Sequence, residues 1–95
     1  MTMFCSTVKQ SDGVSCRPED AGTFLLYSRR TDELHIIDRA GKAIFDMCIG
    51  SSIDDVVESG SEIIAEQNGT NAEVSRRQVL SFLRELRKRS LVEFR

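Results

Sequence analysis

Few side chains in this 95-residue chain could carry a reaction, and their spacing works against one. His35 is the only histidine. Nucleophilic catalysis needs a base within reach of the nucleophile and a third group to orient that base. His35 instead falls inside an apolar run, Leu34-His35-Ile36-Ile37, where it reads as a structural or surface residue of a strand. The cysteines are Cys5, Cys16 and Cys48, and none forms a C-x-x-C pair. With a single histidine they do not supply the close ligand pairs of a zinc site. An odd number of cysteines without a secretion signal reads as reduced thiols. Asp54 and Asp55 are adjacent, so on a helix they point about 100° apart. Asp54 and Glu58 do share a helical face. General acid–base work would also need a cleft that shifts their pKa values, and nothing in the sequence indicates one. The six glycines are dispersed along the chain, so no phosphate-cradling loop is present. The expectation is a binding module rather than an enzyme, with no cofactor and no metal.

The elements that must position a binding surface follow from length and pattern. The composition, 40% hydrophobic and 29% charged, is that of a globular chain with one modest core. No stretch approaches the roughly 20 apolar residues that span a bilayer. Met1 to Gln10 shows no apolar h-region behind a basic head. The chain is therefore expected to be cytoplasmic, with no membrane partner. Residues 1–12 are polar and are expected to form a flexible tail, with a single domain over 13–95.

After the Asp12-Gly13 turn signal, Val14 to Arg17 can form a strand that Pro18 ends. Thr23 to Ser28 is rich in strand formers, and Leu34 to Ile37 reads as its hairpin partner across a polar break. Asp38 can cap a helix over about Arg39 to Cys48, in which Ala40, Ile44 and Met47 recur on one stripe. Gly50 fits the left-handed residue after its end. Ser52 with Asp55 resembles a capping box that opens a second helix. Gly60 lies inside that helix at a cost of about 1 kcal/mol against Ala, a place for a kink or break, and Asn68-Gly69 ends it. Ser75 with Gln78 predicts another capping box, opening a third helix that runs to about Arg89. Leu91 to Phe94 is a short terminal strand or extended tail. The predicted fold is α+β: a small N-terminal antiparallel sheet followed by three helices, the architecture of winged helix-turn-helix domains.

Charge is unevenly placed. Residues 46–73 hold seven acids and no Lys or Arg, whereas residues 76–95 hold seven bases against Glu85 and Glu93. The pattern suits two solvated faces with some pairing, or a basic binding face on the third helix.

Read in order, Phe24-Leu25-Leu26-Tyr27, the second strand, Ile37-Asp38-Arg39-Ala40-Gly41, Ala43-Ile44-Phe45-Asp46, Gly50, Val79-Leu80-Ser81-Phe82-Leu83-Arg84-Glu85-Leu86 and Ser90-Leu91-Val92 form a pattern. It resembles the PqqD-like family, the recognition elements of ribosomal peptide modification pathways. The likeness covers about residues 14–94. Asp38 stands where the family usually has Asn, Phe45 where it has Trp and Ile49 where it has Asp. Ser59-Gly60-Ser61 interrupts the second helix. The resemblance implies a winged-helix fold that binds the leader segment of a precursor peptide. It also implies a partner maturation enzyme, such as a radical SAM protein or the leader protease of a lasso-peptide pathway, and no cofactor on this chain. Family members take the leader as an added strand on the edge of the N-terminal sheet, beside the third helix.

An open edge offers unpaired N–H and C=O groups to an extended peptide. Here the candidate edge is Leu34, His35, Ile36 and Ile37, with His35 on the face of Ile37. On the third helix Val79, Phe82 and Leu86 are expected to form the core seam. Arg76, Leu80, Leu83 and Arg87 fall on a neighbouring stripe, and with Arg84 they are the candidate contacts for a leader with an apolar anchor and acidic residues. The alternative is a DNA-binding transcription regulator. Against it, the second helix would cross the phosphate backbone while carrying Asp54, Asp55, Glu58, Glu62 and Glu66, so nucleic acid is disfavoured. Sheet-edge pairing of two copies into a homodimer fits the same sequence.

Overall fold

The computed structural model describes residues 6–95, which form two three-stranded antiparallel sheets and three helices. In chain order the elements are β1 (Thr7–Gln10), β2 (Val14–Pro18), a 3-10 turn over Asp20–Gly22, β3 (Phe24–Ser28), β4 (Glu33–Ile37), α1 (Arg39–Asp46), β5 (Ile49–Ser52), α2 (Ile53–Asn68), α3 (Ala72–Lys88) and β6 (Val92–Phe94). The expected α+β winged-helix class is the one observed. One sheet has the order β2-β3-β4 and the other β5-β1-β6.

The second sheet corrects the expected tail. Residues 7–10 are the central strand of that sheet, with Thr7 opposite Ser52 on one side and Val8 opposite Phe94 on the other. Val8 is fully buried. Residues 1–5 lie outside the described residues. A single apolar side chain among polar neighbours gives no period to read, and both partner strands lie far along the chain.

The helix starts follow their capping chemistry. The Asp38 carboxylate accepts the Gly41 N–H at 2.8 Å, and the Ser52 hydroxyl accepts the Asp55 N–H at 3.2 Å. Each satisfies one of the orphan donors at a helix start. Gly69, at φ 68°, closes α2 in the left-handed conformation. Two details differ from expectation. Asn71, not Ser75, caps α3 by accepting the Val74 N–H at 2.9 Å, and Ser75 is buried within the helix. Gly50 does adopt a positive φ of 93°, but inside β5, while Met47 ends α1 in the right-handed region.

α2 runs unbroken through Gly60 from Ile53 to Asn68, so the glycine does not break the helix. Packing is the reason for the glycine. A Cβ there would lie 3.1 Å from Val79 Cγ1 and 3.2 Å from Ile44 Cγ1, so its absence lets α2 approach α3 and α1. Gly60→Ala gains about 1 kcal/mol of helix propensity and meets an overpacking cost of about 1–3 kcal/mol. Urea denaturation is expected to show a net loss of up to about 2 kcal/mol.

The core joins both sheets to the helices through Val8, Leu26, Ile37, Ile44, Phe45, Val56, Val79, Leu83, Leu86, Leu91 and Val92. Cys48 belongs to it, fully buried, with its thiol donating to the Ile44 carbonyl at 3.4 Å. Burial, with a smaller contribution from Asp46, pushes that thiol up to about 12. Thiolate is the reactive form, so Cys48 should resist alkylation at neutral pH in the folded chain and label at once in denaturant. Mass spectrometry of native and urea-treated samples checks this.

Candidate peptide-binding groove

β4 is an edge strand, because its sheet ends there in the order β2-β3-β4. Such an edge leaves a row of backbone N–H and C=O groups without strand partners. Beside it α3 and the segment leading into β6 wall off a groove of about 420 Å³. Leu34, His35, Ile36 and Ile37 form one wall, and Phe82, Glu85, Leu86, Arg89 and Leu91 form the floor and the other wall.

Alternation along β4 sorts its side chains. Ile37 is buried and His35 half-buried on the inner face, as the sequence predicts. Leu34 and Ile36 point to the other face, 61% and 71% exposed. The His35 Nε2 is closed off from solvent and meets no hydrogen-bond partner among the described residues. Leaving such an atom unsatisfied costs about 1–3 kcal/mol.

Phe82 reaches the groove because Gly41 yields to it. A Cβ on Gly41 would lie 3.2 Å from Phe82 Cζ and 3.1 Å from Ile37 Cβ. Glycine near the start of α1 therefore seats the aromatic ring against the end of β4. At the rim Arg89 Nε donates to Glu85 Oε1 at 2.9 Å, one turn apart on α3. Both partners are about half exposed, so the pair adds little stability. It leaves the polar edge of the groove close to neutral.

The helix residues expected to contact a peptide are not brought together there. The buried seam of α3 is Ser75, Val79, Leu83 and Leu86. Leu83 is thus a core residue, fully buried, whereas Phe82 lies on the groove flank. Arg76 is on the opposite flank, donating to Glu58 of α2 at 3.1 Å. Arg87 is also away from the groove, its guanidinium 5.1 Å from the centroid of the Phe94 ring. Leu80 and Arg84 line a separate shallow depression with Val74, Arg77, Gln78 and Ser81. Sequence reasoning missed Glu85, Arg89 and Leu91 as groove residues and assigned Phe82 and Leu86 only to the core. The i, i+4 pairing of Glu85 with Arg89, one flank round from Leu86, was the available signal. Periodicity identifies residues that share a face, but it does not say which flank the sheet occupies.

Among the described residues no group of three or more His, Cys, Asp or Glu side chains is placed to hold a metal ion. No described helix is long and apolar enough to cross a membrane.

Two small sheets and three helices, with an open strand edge beside the last helix, make up an α+β fold. Two structures share it. TbiB1 in complex with the TbiA(beta) leader peptide is 23% identical, covers 90% of this chain and 94% of that chain, and has a TM-score of 0.69. Lasso peptide synthetase B1 complexed with the leader peptide is 15% identical, covers 93% of this chain and 99% of that chain, and has a TM-score of 0.72. At these identities the likeness is one of fold. No protein-family model and no curated protein matches the chain.

Proposed function

We propose that this chain binds the leader segment of a ribosomally made precursor peptide as an added strand on β4 and delivers it to a maturation enzyme. The observation that carries the reading is the open β4 edge facing an apolar groove floored by Phe82, Leu86 and Leu91. Backbone pairing would supply affinity, and the groove would select side chains. The shared fold supports the reading, since both similar structures hold a leader peptide. The role is non-catalytic, with neither cofactor nor metal, and its setting is the cytoplasm. The enzyme it serves would be one that modifies or cleaves the leader-bearing precursor, such as a radical SAM protein or a leader protease.

On the strand side the contacts are the backbone edge from Leu34 to Ile37, with the His35 and Ile37 side chains facing the groove and Leu34 and Ile36 the other face, and on the helix side Phe82, Glu85 and Arg89. Arg76, Leu80, Leu83, Arg84 and Arg87 take no part in this version of the site. The experiment is fluorescence anisotropy with a labelled leader encoded beside the gene and, separately, labelled duplex DNA. Saturable binding of the peptide that persists at high salt is expected. Binding of DNA alone, weakening steeply with salt as phosphate contacts do, would replace this reading with a DNA-binding one.

A further inference from the structure

The face of the β2-β3-β4 sheet that carries Leu34 and Ile36 bears an apolar ridge that the groove floor does not use. These two are among the three large hydrophobic side chains left exposed by the described residues. Each is backed by its cross-strand neighbour on β3, Tyr27 opposite Leu34 and Leu25 opposite Ile36. Tyr27 is held in place, its hydroxyl donating to Asp32 Oδ1 at 2.6 Å. Asp32 belongs to the β3–β4 turn and has a φ of 57°. Ser15 and Arg17 of β2 complete a shallow cleft of about 190 Å³ with Leu25, Tyr27 and Leu34. The ridge runs along the open edge itself, continuous with the groove, whose wall includes the same Leu34 and Ile36.

We infer that Leu34 and Ile36 are the second half of the peptide site, and that the peptide it takes carries apolar side chains at consecutive positions rather than alternate ones. The inference rests on the strand-addition reading. In a strand paired with β4, residues opposite His35 and Ile37 enter the groove toward Phe82 and Leu86. Residues opposite Leu34 and Ile36 emerge on the other face, where directly opposed Cβ atoms lie about 4.5–5.5 Å apart. A peptide that alternated apolar with polar residues would fill the groove and leave the ridge wet. A short continuous apolar run covers both. Two favourable cross-strand pairs are together worth roughly 2- to 25-fold in affinity.

The test is selection of bead-displayed random octapeptides against the full chain and against the double variant Leu34→Ser, Ile36→Ser. Both positions are exposed, so the variant should melt with the parent chain, and the parent's own selection gives a second readout. The parent chain should enrich peptides with apolar residues at consecutive positions. The variant should keep the preference at one parity only and bind the parent's peptides about 2- to 25-fold more weakly. Enrichment of alternate apolar positions by the parent chain, or an unchanged preference in the variant, would overturn the inference and leave strand addition standing. A lack of any enriched binder, or binders with no apolar preference at either parity, would overturn both.

Discussion

Truncating Leu83 to alanine is expected to lower the unfolding free energy by roughly 2–5 kcal/mol, the range for removing a fully buried leucine and leaving part of its cavity. Domains of this kind are stable by about 5–15 kcal/mol in all, so the variant loses a large fraction of its margin. Leu83 is fully buried on the α3 seam with Val79 and Leu86. Leu80 is three residues earlier and half-buried on a different face. Leu80→Ala should therefore cost under about 1 kcal/mol. Urea titrations of the two variants check the pair. Similar small losses at both positions would mean that α3 is rotated about its axis and that Leu83 faces the groove after all.

The second large effect concerns the peptide rather than the protein. If the partner adds to β4 as a strand, every second amide of its backbone donates to that edge. N-methylation of three such amides removes three hydrogen bonds, each worth about 0.5–1.5 kcal/mol net. Affinity should then fall roughly tenfold to a thousandfold. The same three methyl groups moved along by one residue point away from β4 and should cost little. Isothermal titration of the two methylated peptides and the parent peptide measures the contrast. Equal losses in both registers would indicate side-chain recognition without strand pairing.

Much of the fold is written locally. The β3–β4 hairpin, the caps at Asp38 and Ser52 and the stop at Gly69 are each fixed by residues a few positions apart, and each is where the sequence predicts it. Non-local features were not legible. β1 pairs with β5 and β6 through backbone contacts between distant segments, and Thr7-Val8-Lys9-Gln10 has no apolar period to announce a strand. Gly60 has the composition of a helix breaker, yet the structure uses it as a contact point, because what matters there is the closeness of Val79 and Ile44.

The candidate site divides in the same way. On β4 the facing of each side chain follows once Ile37 is taken as the core residue, as the family resemblance implies: His35 shares its face, and Leu34 and Ile36 take the other. The helix wall depends on which flank of α3 meets the sheet. That choice is set by Phe82 seating on Gly41 and by Leu83 turning into the core. The uneven charge along the chain is partly internal. Arg76 pairs with Glu58 across α2 and α3, and Arg77 and Arg89 pair with acids one turn away on α3 itself.

The central claim is that an extended peptide joins the β4 edge in the groove beside α3. It is tested most directly by NMR titration of the isotope-labelled chain with the leader peptide encoded beside its gene. Shifts concentrated at Leu34–Ile37 and at Phe82, Glu85, Arg89 and Leu91 are predicted, with Arg76, Leu80 and Arg84 unmoved and new protection of β4 amides from exchange. Shifts confined to the Arg76–Leu80–Arg84 side of α3, with the β4 amides unchanged, would contradict it.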